Sequence, residues 1–352
     1  MLPDDSSGSI LPRQPVRVPA DWEPVRRVWL AWPHNTETWP GRFGPIPSSF
    51  RNLARVIAES SPVAMIGEPD REKIAGLAHP QIEWHPIATD DCWIRDYGPT
   101  FVLAADGSRE HAVDWRFNAW GGKYAFERDD AAAAAIINQA GWTPLSSNLC
   151  LEGGALEHDG RGTLLTTSAC LNTPSRNPGW KLKDIEAELR RCLGSREIIW
   201  IDGDGLAGDD TDGHIDQLVR FVHPECLVVA SCDELDVENY TSLRATASSV
   251  EQWAARQAGV RVVELPIPQP RYIQGRRVPE SYCNFLRLGP DRLLVPAFGD
   301  RKRDDNAREQ LEDLAREKEP HLRAESVDCR DLVWGLGALH CATCTEPDTR
   351  HQ

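Results

Sequence analysis

Five side chains in this sequence have types and settings suited to chemistry: Asp96 in "CWIRDYG", Glu152 in "CLEGG", His214 and Asp216 in "TDGHID", and Cys341 in "ALHC". Two aspartates can each accept a pair of N–H donors from a planar cation, and the fork of a guanidinium fits them better than an ammonium does. Held flat, that cation leaves one face of its central carbon open. The carbon is a poor electrophile, because the charge is delocalised and the group stays protonated at any physiological pH. A thiolate attacks it far better than water, and a covalent amidino-thioether splits the displacement into two easier steps. His214 can protonate departing ammonia and then take a proton from hydrolytic water, with Glu152 as the group that orients and charges the imidazole. Gly335 and Gly337 would let the backbone pass close to a substrate.

These residues lie far apart in the chain, so its elements must bring them together. Four stretches read as hairpins: "TFVLAADGSREHAVDW", "GGALEHDGRGTLLTT", "DQLVRFVHPECLVVAS" and "CNFLRLGPDRLLVPAFG", with turns at Asp106-Gly107, Asp159-Gly160, Pro224-Glu225 and Pro290-Asp291. After them come helical stretches at 127–140, 182–193, 242–258 and 304–317, and then short β-like runs such as "REIIWID", "VRVVELPI" and "RAESVDC". The first part of the chain fits less cleanly, with "RRVWLAWP", a helix over 48–59, "PVAMIG" and "QIEWHPI". Counting it, five hairpin–helix–strand units recur at a spacing of roughly 50 to 70 residues. Such units cannot bury their faces alone and are expected to pack around an axis. Each polar cluster sits at a strand end, at an equivalent place in its unit, so the five residues are expected to converge. Residues 1–15 read as a flexible tail and 16–352 as a single α/β catalytic domain.

The motifs "DDCWIRDYGPTFV", "FNAWGGKY", "EGGALEHDGRGTLLTT", "GDDTDGHID", "SYCNF" and "WGLGALHC" resemble the agmatine deiminase and bacterial peptidyl-arginine deiminase group of the guanidino-modifying superfamily. The likeness runs from about Trp22 to Pro347. It implies a five-bladed α/β propeller of pseudo-symmetric ββαβ units, the pentein fold. It also implies hydrolysis of agmatine to N-carbamoylputrescine and ammonia in polyamine biosynthesis, without metal or cofactor. By the resemblance Cys341 is the nucleophile, His214 the acid and base, and Glu152 its partner, while Asp96 and Asp216 bind the guanidinium. Peptidyl arginine or another small guanidine is the alternative substrate, and amidino transfer the alternative reaction. One segment departs from the family: "WGLGALHCATCTEP" stands where agmatine deiminases carry a GGGN-type segment before the cysteine and a Gln-rich stretch after it. That leaves the chemistry in place and opens the question of substrate.

Other residues have quieter readings beside the functional one. Asp90 reaches a substrate or closes a turn, and Trp93 forms a wall over a substrate's methylene chain or joins the core with Trp120. Arg95 reads as an ion-pair partner that orders its loop, His340 as structural, and Asp209, Asp210 and Asp212 as turn-formers. "DDTDGHID" is rich in metal-type donors, but no second His-containing motif accompanies it. With Arg95 so assigned, a substrate α-carboxylate would enter an acidic site unpaired, which favours a small decarboxylated cationic guanidine. The net charge of -15 and the lack of any basic run argue against nucleic acid or anionic membrane as partner. No apolar run has the length of a membrane span, and ten scattered cysteines read as reduced, buried thiols of a cytoplasmic protein, with a homodimer left open.

Overall fold

The computed structural model describes residues 15–68 and 76–349. Residues 1–14 of the expected tail lie outside the described residues, and Pro15 is tied down, its carbonyl accepting a hydrogen bond from the Ala105 amide at 2.9 Å.

The chain is a mixed α/β structure in which five sheets share one pattern: an antiparallel pair, a helix, and a return strand parallel to the second member of the pair. In one sheet the pair is β5 (Thr100–Ala104) and β6 (Arg109–Arg116), the helix α2 (Glu127–Ala140) and the return strand β7 (Pro144–Cys150), with β1 (Val16–Arg17) on the outer edge of β5. The next has β8 (Glu157–His158), β9 (Thr163–Thr167), α3 (Leu182–Leu193) and β10 (Glu197–Ile201). Then come β11 (Val219–His223), β12 (Cys226–Ser231), α4 (Tyr240–Ala254) and β13 (Arg261–Pro266). After a short hairpin of β14 (Tyr272–Ile273) and β15 (Arg276–Arg277), another unit follows with β16 (Leu286–Arg287), β17 (Arg292–Ala297), α5 (Arg301–Arg316) and β18 (Arg323–Asp328). The remaining sheet joins the two ends of the chain. There β2 (Val25–Ala31) pairs antiparallel with β19 (Cys344–Pro347) and, across α1 (Ile46–Ala58), parallel with β3 (Val63–Ile66), beyond which lies β4 (Ile82–His85).

Local sequence explains the boundaries. Glu127 and Asp130 place negative charge on the first turn of α2, the alanine run propagates it, and Gly141 ends it in the left-handed conformation at φ 71°. Helix α5 starts at Arg301, ahead of the expected 304, because the Asp300 side chain caps it by accepting from the Arg303 amide. Helix α4 runs Tyr240–Ala254 and stops short of the expected 258, after which the chain turns through Gly259 at φ 77°. Strands β3 and β12 are buried along their whole length, as continuous apolar runs covered on both faces should be. The main core gathers Trp29, Trp39, Phe50, Phe221 and Leu294, and a second cluster packs Leu164 of β9 against Ile185 and Leu189 of α3. All ten cysteines are free, and no helix among the described residues is long and apolar enough to cross a membrane.

The candidate residues follow the return strands: Asp96 after β4, Glu152 after β7, His214 and Asp216 after β10, and Cys341 after β18. Glu346 on β19 braces this arrangement. Its fully buried carboxylate accepts from Trp29 Nε1 at 3.2 Å and Trp142 Nε1 at 3.1 Å and pairs with Arg26, Arg27 and Arg109. It thereby joins the β2–β19 sheet to the β5–β7 sheet. Removing it leaves two buried indole donors unmet, while the partly exposed arginines regain water. Glu346→Ala should lower the unfolding free energy by about 2 to 3 kcal/mol, read as a shift of the urea midpoint at unchanged slope. An unshifted midpoint would remove the bracing role.

Candidate functional site

Asp96 is the hub of the first half of the site. It sits on the helical turn Ile94–Tyr97 and is 3% exposed. Oδ1 accepts from the Gly154 amide at 3.1 Å and faces His214 Nδ1 at 3.5 Å, while Oδ2 accepts from Trp120 Nε1 at 2.9 Å. Burial, with Asp216 and Glu152 adding repulsion and His214 opposing them, raises the Asp96 carboxyl to about 6. On the other side of the imidazole, Nε2 faces Glu152 Oε2 at 3.8 Å. Burial alone would raise Glu152, but the contacts with His214 and Arg176 outweigh it and hold the carboxyl at about 2. Burial likewise works against a charged His214, yet Asp96, Cys170 and Glu152 together hold its pKa well above the ordinary value. The imidazole is an imidazolium between two carboxylates.

Cys341 anchors the second half. Its Sγ accepts from Asn284 Nδ2 at 3.1 Å and lies 3.6 Å from Asp216 Oδ2. Asn284 Oδ1 accepts from the His340 amide at 3.1 Å and the Cys341 amide at 3.3 Å, so one side chain holds both the thiol and its backbone. Burial first, then Asp216 and Asp96, push the Cys341 thiol well above its usual range. His340 Nδ1 meets Asp216 Oδ2 at 2.8 Å, and its Nε2 faces Asp21 at 3.6 Å. Burial, Arg220 and Arg95 keep that ring neutral, so Nδ1–H donates to Asp216, whose Oδ1 has no hydrogen-bond partner among the described residues.

A cavity opens onto this centre, lined near the chemistry by Trp93, Asp96, Trp120, Trp334 and Cys341. Asp216 lies behind Cys341, and His214 and Glu152 lie behind Asp96, all three fully buried. Trp93 is at the cavity wall. Asp90 is not brought to it. Its Oδ2 accepts from the Arg128 amide and its own amide donates to Asp129 Oδ1, so it ties the loop to the start of α2. Arg95 forms no ion pair among the described residues; its Nε reaches the His340 carbonyl at 3.4 Å. Asp209 does shape its turn, accepting from Thr211 and Gly213, whereas Asp210 lines the cavity and accepts from Tyr124 Oη at 2.7 Å.

Sequence reasoning left out three partners. Asn284 stood in the quoted "SYCNF" without a role. Arg176, in "SRNPGW", carried no spacing signal, yet its Nε binds Glu152 Oε1 at 2.9 Å and its Nη2 the Thr211 carbonyl at 2.8 Å. Arg276 of β15 also lines the cavity, with its guanidinium 5.8 Å from the centre of the Trp334 ring, so Arg95 is not the one arginine to weigh when a carboxylate enters. Glu152, Cys170 and His214 each bring a potential ligand atom within 4.8 Å of the others. The Arg176 cation on the same Glu152 carboxylate and the charged His214 both work against a divalent ion there.

Residues 17–347 match the family model described as Porphyromonas-type peptidyl-arginine deiminase. The agmatine deiminase of Stutzerimonas stutzeri is 34% identical, over 94% of this chain and 95% of that one. A structure of C. jejuni agmatine deiminase, a cysteine-to-serine variant with substrate bound, superposes with a TM-score of 0.85 at 28% identity, covering 95% of this chain and 96% of that chain. The agmatine deiminase of Enterococcus faecalis gives a TM-score of 0.86 at 27% identity, over 95% and 96% of the two chains. An amidinotransferase from Microseira wollei, at 15% identity, shares the fold with a TM-score of 0.53, over 94% and 96% of the chains.

The Asp96–His214 contact depends on Gly154 having no side chain. A Cβ there would lie 2.5 Å from His214 Nδ1 and 2.7 Å from Asp96 Oδ1. Gly154→Ala must push the two groups apart, and the His214 pKa should fall in an NMR titration of the imidazole. An unchanged titration would mean that Asp96 does not charge the ring.

Proposed function

This chain belongs to the Porphyromonas-type peptidyl-arginine deiminase family, and from that premise we propose that it hydrolyses agmatine to N-carbamoylputrescine and ammonia through a covalent intermediate on Cys341. The observation that carries the reading is the thiol of Cys341, held by Asn284 beside the Asp216 carboxylate on a cavity that Asp96 also lines. In this reading the sheets form the five blades of an α/β propeller, and the residues after the return strands meet at its axis. The five repeats of one topology support that arrangement.

Asp96 and the open Oδ1 of Asp216 grip the guanidinium, and Trp93 covers the methylenes. The arriving cation offsets the burial and the repulsion that keep Cys341 protonated, so the thiol gives its proton to solvent and the thiolate forms as substrate binds. Sulfur attacks the guanidinium carbon, a C–N bond breaks, and ammonia leaves with a proton from His214. Water then enters, His214 takes its proton, and the C–S bond breaks to release the ureido product and restore the thiol. Glu152, fixed by Arg176, orients the imidazole and stabilises its charged form. The free, mostly buried cysteines suit a reducing compartment such as the cytoplasm, and the product is a precursor in polyamine biosynthesis.

A carboxylate-bearing arginine, free or at a peptide end, is the second reading, favoured by Arg276 at the cavity wall. Ammonia release decides between them. With Asp210 and Glu37 also lining the cavity, kcat/KM for agmatine should exceed that for free arginine by about a hundredfold or more, the cost of an unpaired carboxylate. Parity, or a faster arginyl peptide, would install the second reading. Cys341→Ser should abolish turnover with the fold retained.

The acid limb is set by Asp96. Its carboxyl takes a proton as pH falls through about 6 and then loses its grip on the guanidinium. The kcat/KM for agmatine should therefore fall as pH drops below that point, the free-enzyme group being the one reported. A profile flat down to about pH 5 would place the gripping charge elsewhere.

A further inference from the structure

The segment Gly335-Leu336-Gly337 distributes its residue types against backbone need. Neither glycine has a positive φ; each is required by space, since a Cβ at Gly335 would lie 2.7 Å from Trp39 Nε1 and one at Gly337 would lie 2.5 Å from Trp93 Cζ3. The position in the left-handed conformation, at φ 73° and ψ 9°, is the leucine. A γ-branched residue gains nothing from that conformation and is strained in it, where glycine would sit freely. Its side chain is not spent on the core: Leu336 is only partly buried and lines the cavity together with Trp93, Trp334 and Cys341.

We infer that Leu336 is a specificity-determining residue, its isobutyl group packing with Trp93 and Trp334 against the methylene spacer of a linear alkylguanidine and disfavouring substrates with a polar or charged group on that spacer. The inference rests on the proposed deiminase activity and deepens it. The loop is pinned on both sides, by Gly335 against Trp39 and Gly337 against Trp93, and the Leu336 amide donates to the Val333 carbonyl at 2.9 Å. The side chain therefore has a fixed direction, which a loop free to swing could not give it. An apolar wall of this kind discriminates modestly for each carbon it covers and more strongly against a charge left without water.

Two substitutions separate strain from contact. Leu336→Gly relieves the strain and removes the wall; Leu336→Asn keeps a side chain that tolerates the left-handed region and makes it polar. Both purified variants should melt no lower than wild type. In both, KM for agmatine should rise about tenfold with kcat little changed, and the preference for agmatine over arginine should narrow. A wild-type chain inert toward agmatine overturns the functional reading and this inference with it. A wild-type chain active on agmatine, with KM and preference unchanged in both variants, overturns this inference alone.

Discussion

Asp96, Glu152 and Asp216 repel one another inside the protein, and the rest of the site is arranged around that repulsion. The three carboxylates are handled differently. Arg176 and His214 hold Glu152 at about 2, and His340 keeps Asp216 below its ordinary value against the pull of burial. Asp96 has an imidazolium on one side and two neutral donors, and is left near 6. Such an anion costs free energy in a dry setting unless a cation meets it. Burial first, then the charges of Asp216 and Asp96, raise the thiol of Cys341, so the sulfur stays protonated until positive charge arrives.

Backbone strain is concentrated around the same cavity. Among the described residues, five that are not glycine have positive φ: Ala119, Trp120, Asp212, Gln274 and Leu336. Trp120 donates to Asp96, and Asp212 pairs with Arg176 and Lys123. Gln274 makes the turn of the hairpin that carries Arg276, and Leu336 lines the cavity. None of these conformations is the cheapest for its residue, and those of Trp120, Asp212, Gln274 and Leu336 each hold a group that faces the centre or supports one that does. Trp39, which packs on Trp93 with ring centres 5.7 Å apart and blocks any side chain at Gly335, is the rigid floor beneath them.

Much of this was legible in the sequence where the signal was local. Helices 127–140 and 182–193 were marked by acidic first turns or apolar periodicity and by a glycine beyond the last turn, and they form over those residues. The hairpins at Asp106-Gly107 and Asp159-Gly160 carry their own turn chemistry. The first unit looked irregular because its hairpin partner, β19, comes from the far end of the chain, and no local pattern announces a pair so distant. The same limit hid Arg176, since an arginine 24 residues from Glu152, its partner, reads like a surface cation until the fold buries it. His340 looked structural because neighbouring side chains in an extended segment point apart. The chain turns tightly there, with the Ala342 amide bonded to the Ala338 carbonyl, and both His340 and Cys341 reach Asp216.

The pairing of β2 with β19 has a consequence for how the protein is made. Trp29 and Glu346, which bond across this sheet, are 317 residues apart. At about 5 to 20 residues per second, a ribosome needs between a quarter of a minute and a minute to deliver the second after the first. During that interval the strand "VRRVWLA" has no antiparallel neighbour, and its edge is open to strands of other nascent chains. Arg26 and Arg27 stand at its start, where their charges oppose such pairing. The segment that closes this sheet also carries Cys341, three residues before β19, so that thiol takes its place only when synthesis of this span is done.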